Sequence, residues 1–272
     1  MYSGGTSPET STTCSSPATR LPQEIVEMII SYLTYDILSL RACTLTCYSW
    51  YIAAVPRLHH TLTITNGSRD SKICWPDPIQ YMHTLGLLPL VKEFRVLDCG
   101  RNYKSVELSP KLFNYCILHQ FLALTNVRKL DLGHLDIPKF MPRIRRHFGH
   151  LSHTTRSLVL IEPRGSRRQI IYFIGLFQHL QDFELTNDRN KSGEEPADDL
   201  TLIPPFVPPL RGWLKIRNFT RVGLLKDMID LFGGIRFRCM LLFDVVGMRL
   251  LLDACAETLR MLVLYPADPR GE

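Results

Sequence analysis

Between Leu21 and Leu62 apolar side chains recur at three- and four-residue steps, which places Ile25, Met28, Ile29, Tyr32 and Leu33 on one face of a first helix. Pro22 suits a first helical turn, where its missing N–H is not needed, and Glu24 complements the positive end of the helix dipole. Glu24 and Glu27 fall off the apolar face. Asp36 is placed to cap a second helix carrying Ile37, Leu38 and Leu45, and Cys47, Trp50, Tyr51 and Ala54 mark a third that ends before Pro56. So small a bundle holds more apolar side chains than it can cover, since short domains hide only ~60% of their unfolded surface. Some of that surface is expected to meet a partner.

A different pattern begins at Val91: an apolar residue, two variable residues, a second apolar residue, one variable residue, then a third, with the first position failing in two of seven units, at Thr155 and Arg211. It recurs at Val91-Phe94-Val96, Val127-Leu130-Leu132, Thr155-Leu158-Leu160, Leu180-Phe183-Leu185, Arg211-Leu214-Ile216, Phe237-Met240-Leu242 and Leu259-Leu262-Leu264. The alternation at the last two positions predicts strands, and successive units are 22 to 36 residues apart. Segments of helical period lie between them. Ser109-Pro110 opens one, Ile137, Phe140, Met141, Ile144, Phe148 and Leu151 line another, and Ser166 with Gln169 forms a capping box before Ile170, Phe173, Ile174 and Phe177. Val222, Leu225, Met228, Ile229 and Phe232 mark a further helix stopped by Gly233-Gly234, and Met248, Leu251, Leu252 and Cys255 mark the last. Leu62-Thr63-Ile64 reads as a brief strand before the Asn66-Gly67 turn, and a helical stretch from Ile79 to Leu88 follows Pro76 and Pro78.

The leading residues of the first pattern resemble the F-box family: Leu21-Pro22, Glu24-Ile25, Ile29, Leu33, Asp36, Leu38, and Cys47 three before Trp50. The resemblance implies a three-helix module that docks on a Skp-family adaptor and so attaches a receptor to a cullin-based ubiquitin ligase. It implies adaptor contacts at Leu21, Pro22, Ile25, Ile29, Leu33 and Leu38, with Trp50 mainly internal. The downstream array resembles degenerate leucine-rich repeats, and the whole is similar to a fungal-type F-box protein of that kind. The buried asparagine of such repeats has only isolated candidates in Asn187 and Asn218. The expected fold is therefore α/β: a three-helix F-box followed by a strand–helix solenoid. The domain reading is a Ser/Thr-rich tail over 1–19, the F-box over 20–64, a connecting segment over 65–90 and the repeat array over 91–272. The chain stops at PADPRGE directly after a strand, which reads as a truncated array.

Composition refines this picture. The tail has almost no large apolar side chain to offset the entropy of ordering, so it reads as flexible. No apolar run reaches the ~18–20 residues that a membrane helix needs, and neither a secretory nor a mitochondrial signal is present, which reads as cytoplasmic or nuclear. The eight cysteines show no paired CxxC spacing and read as reduced thiols; Cys43 and Cys47, with no histidine beside them, make a poor metal site. His147, His150 and His153 read as solvent-facing. Between Lys139 and Arg168 lie eight Lys or Arg and one acid, Glu162, a balance of +7 against +6 for the whole chain. Arg143, Arg145, Arg146, Arg167 and Arg168 are thus a candidate patch for an acidic or phosphorylated protein segment, next to an acidic stretch over 182–199. Nucleic acid is disfavoured, because no known binding motif accompanies the arginines and no aromatics interleave them.

No P-loop, dinucleotide turn, nucleophile elbow or HExxH is present, so no enzyme activity and no cofactor is expected. The reading is a substrate receptor of a Skp/cullin/F-box ligase, with the F-box on the adaptor and the repeats on a protein target. The alternative is a plain repeat scaffold that binds an acidic partner through the arginines, its first helices serving only as a cap.

Overall fold

The computed structural model describes residues 21–66, 77–98, 121–135, 137–140, 148–186, 210–231 and 235–265. The chain divides into two compact units, Met1–His60 and Thr61–Glu272.

In the first unit, α1 (Gln23–Tyr32) and α2 (Ile37–Thr44) both pack on α3 (Tyr48–Leu58). The Asp36 cap forms as its sequence position implies: the carboxylate accepts from Ser39 N–H at 3.0 Å and from the Ser39 hydroxyl at 2.6 Å. Hydrogen bonding to that hydroxyl, then to the N–H, holds the Asp36 carboxyl below its ordinary range. The third helix does not stop before Pro56 but runs through it to Leu58. Pro56 is exposed, so the hydrogen bond its ring removes is lost at the surface rather than in the core. The core of this unit is small. Val26, Ile30, Leu40 and Ala54 are buried, with Leu33, Cys43, Trp50, Ala53 and Leu58 half-buried against them.

The second unit is one eight-stranded sheet, entirely parallel and in chain order: β1 (Thr61–Asn66), β2 (Glu93–Asp98), β3 (Lys129–Gly133), β4 (Ser157–Ile161), β5 (Asp182–Thr186), β6 (Leu210–Phe219), β7 (Ile235–Val245) and β8 (Met261–Tyr265). In all seven units of the second sequence pattern the last two positions fall on strands, and these apolar pairs stand in register. Leu62, Phe94, Leu130, Leu158, Phe183, Leu214, Met240 and Leu262 form one row across the sheet; Ile64, Val96, Leu132, Leu160, Leu185, Ile216, Leu242 and Leu264 form the next. Both rows are buried from β1 to β7 and exposed on β8.

Parallel neighbours cannot be joined by hairpins, so each connection crosses back over the sheet. Along these crossovers lie α4 (Asp77–Thr84), α5 (Ile137–Phe140), α6 (Arg167–Gly175), α7 (Val222–Leu231) and α8 (Met248–Cys255). Their apolar sides share one core with the two strand rows, and α5 packs on α6, α6 on α7 and α7 on α8. The capping box at Ser166 and Gln169 starts α6. Edge-to-face contacts tie the layers together, with Phe94 and Phe121 ring centres 5.2 Å apart and Phe148 and Phe173 also 5.2 Å apart. The helix expected over Ile79–Leu88 is α4 followed by a 3₁₀ turn, Leu88–Leu90.

Thr61–Asn66 is the first strand of the sheet, and the segment after it contributes Ile79, Met82 and Leu88 to the sheet's core. The physical reason is that the first strand must cover its apolar row as later ones do. Ser109-Pro110, Met141, Ile144, Asn187, Phe232 and the tail over 1–19 lie outside the described residues.

Candidate functional site

On α1 the helical stripe read from the sequence faces outward. Ile25, Met28, Ile29 and Tyr32 are exposed, while Val26 and Ile30 turn inward to the small core. Leu33 is half-buried against that core, and Leu21 and Pro22, just before the helix, are exposed. The other helices repeat the arrangement. Ile37, Leu38 and Leu45 are exposed around α2, where only Leu40 is buried, and Tyr48, Tyr51 and Ile52 are exposed on α3. Isolated exposed apolar residues are ordinary, but contiguous stripes mark interaction sites. Each helix thus divides its apolar residues between the shared core and an open stripe. Of the six residues that the resemblance names, five stand on the open side and Leu33 against the core. Trp50 packs on that core.

In the second unit the strand residues that alternate with the buried rows make a second, half-exposed face. Its polar groups pair across strands. Lys215 Nζ lies 2.8 Å from Glu184 Oε1 and Arg217 Nε 3.5 Å from the same oxygen, while within β2 Arg95 Nη2 lies 2.9 Å from Glu93 Oε2. Burial raises the Asp131 carboxyl above its ordinary range despite Arg95 and Lys129 nearby, and burial likewise raises Asp182 against the pull of Lys129. A depression of about 480 Å³ opens on this face, lined in part by Lys129, Val159, Asp182, Trp213, Lys215 and Leu241. Past it, Arg217 sits over the Phe243 ring at 4.9 Å, and that ring stacks on Tyr265 at 4.0 Å. None of these groups was legible as a site, because they come from strands far apart in the sequence and only the register of the strands assembles them.

Of the arginine patch read from the sequence, Arg167 and Arg168 are among the described residues. Arg143, Arg145 and Arg146 lie outside the described residues. Arg167 Nε is 3.6 Å from Asp227 Oδ2, and its guanidinium covers Gly223, so it ties α6 to α7. Arg168 is half-buried. His150 is not solvent-facing, because its Nε2 lies 2.8 Å from the Phe121 carbonyl oxygen; His153 is exposed and His147 lies outside the described residues. Burial raises the Cys43 thiol above its ordinary range. No helix among the described residues is long and apolar enough to cross a membrane.

The family model of the F-box-like domain matches residues 18–65, which contain α1, α2 and α3. F-box domains generally bind Skp-family adaptors, so the match suggests an adaptor-binding role for the unit whose helices carry the open stripes. No curated protein and no solved structure matches the chain.

Proposed function

We propose that this chain is the substrate receptor of a Skp/cullin/F-box ubiquitin ligase. The observation that carries the reading is the open apolar stripe on each F-box-like helix, with Leu21, Pro22, Ile25, Ile29 and Leu38 on the exposed side of a core too small to take them in. Buried apolar anchors dominate interface energy, and each one covered by the adaptor would contribute ~1.5–3 kcal/mol. The second unit is read as a degenerate leucine-rich-repeat array that holds a protein target. Two in-register apolar rows and a one-sided helical layer support this, since each unit then buries its strand against its neighbours. On this reading the chain supplies proximity and the chemistry belongs to a separate enzyme.

The test is co-elution of the full chain with a purified Skp-family adaptor, comparing wild type with Leu21→Ala/Pro22→Ala. The receptor reading expects capture by wild type and its loss in the variant. Equal capture by both, or capture by neither, rejects it.

A further inference from the structure

Two positions before the apolar row that runs from Phe94 to Leu262, the residue is basic at five of the seven places: Lys92, Arg128, Arg156, Arg238 and Arg260. Backbone hydrogen bonds chain this row from strand to strand. Arg128 N–H donates to the Lys92 carbonyl at 2.7 Å, Arg156 N–H to that of Arg128 at 2.8 Å, and Arg260 N–H to that of Arg238 at 2.8 Å. All five are exposed, and among the described residues none of them takes part in an ion pair. Like charges on adjacent strands stand ~4.8 Å apart at the backbone and disfavour the fold, so nothing in folding calls for this row.

Charge and shape together define an occupant. The row breaks on β5 and β6, where Gln181 and Gly212 take the equivalent places. Beyond the break Arg211 and Arg236, paired in register and both exposed, add to the second cluster. From Arg156, just before β4, to Arg211 on β6 is two strand steps, ~10 Å, the reach of about three extended residues. Beside the break lie exposed Trp213, the depression it lines, and Asp182. A continuous phosphodiester would lay phosphate over Asp182 and an apolar wall. A peptide can place an uncharged side chain there, and arginine forks suit carboxylates on either side.

We infer that this entry edge of the sheet binds an extended protein segment with two acidic clusters separated by about three residues, the central one apolar and seated in the depression beside Trp213. This rests on the reading of the second unit as the part that holds a protein target.

The probe is a fluorescent synthetic peptide with glutamates on both sides of a Gly-Leu-Gly centre, titrated into the full chain alone and with a purified Skp-family adaptor added. Its affinity should fall as salt rises, and Arg128→Glu/Arg156→Glu and Arg236→Glu/Arg260→Glu should each weaken it about tenfold or more. The milder Arg128→Gln/Arg156→Gln should weaken it less. Trp213→Ala should erase the preference for a Gly-Leu-Gly over a Gly-Gly-Gly centre. Unchanged binding by the charge-reversed variants overturns the inference, as does oligothymidylate binding tighter than the peptide and displacing it. Adaptor capture without peptide binding rejects this site alone; peptide binding by a chain that captures no adaptor rejects the F-box reading alone.

Discussion

Leu38 and Leu40, two residues apart on α2, face opposite ways: Leu38 is 76% exposed and Leu40 is 1% exposed within the three-helix core. One helix thus carries an internal and an external apolar residue side by side, and truncating each separates folding from docking. Leu40→Ala leaves a cavity in a core of four buried side chains and should cost ~2–5 kcal/mol, read by denaturant unfolding. Leu38→Ala should leave stability within ~0.5 kcal/mol of wild type yet weaken adaptor binding by about tenfold or more. Equal loss of stability in both would show that Leu38 belongs to the core.

The Asp36 cap sets where α2 begins and hence where Leu38 is presented. Asp36→Ala removes both bonds to Ser39 and should lower the melting temperature of the amino-terminal unit, while Asp36→Asn, which still accepts from the Ser39 N–H, should lower it less. Its folded pKa is depressed, so its contribution is present above the unfolded value near 3.8 and disappears as pH falls through the folded one. Melting curves at neutral pH and at acid pH below that range should therefore differ less for Asp36→Ala than for wild type.

How much of this was legible in the sequence depends on how local the cause is. The Asp36 cap, the Ser166 capping box and the strand pairs from Phe94-Val96 to Leu262-Leu264 all follow from residues a few positions apart, and the structure places each of them as read. The direction of the α1 stripe was not legible. Ile25, Met28 and Ile29 and the inward pair Val26 and Ile30 are both apolar helical sets, and only packing against α3 selects between them. The pairing of Arg167 with Asp227, sixty residues on, likewise needs the packing of α6 on α7. The basic row, by contrast, was present in the sequence two positions before the apolar row at five of seven places; local net charge does not reveal it, because its members run from Lys92 to Arg260.

Gly212 lies where the β6–β7 register slips, at φ +92°, and a Cβ there would run into the Gln181 carbonyl oxygen. That oxygen accepts from the Trp213 N–H at 2.8 Å. Gly212→Ala meets backbone rather than a yielding side-chain end and adopts a conformation that L-residues rarely take, so it should cost more than ~1 kcal/mol. Hydrogen exchange at the Trp213 amide should accelerate ahead of that at Leu160 in the neighbouring core. Unchanged exchange at Trp213 would mean that β5 and β6 do not need the close approach.

Asp131 stands on the open face of β3 with its carboxyl raised by burial, which outweighs the attraction of Arg95 and Lys129. A carboxyl with a raised folded pKa binds its proton more tightly in the folded chain than in the unfolded one. Stability from this group is therefore greatest below the unfolded value near 3.8, falls as pH rises through the folded value, and stays reduced at neutral pH. Asp131→Asn keeps the shape without the charge, so it should raise the melting temperature at pH 7, with the gain shrinking as pH falls through the folded pKa. If Asp131→Asn instead lowered the melting temperature at neutral pH, the attraction of Arg95 and Lys129 would outweigh the cost of burial, and the open face would be held together by its charges rather than strained by them.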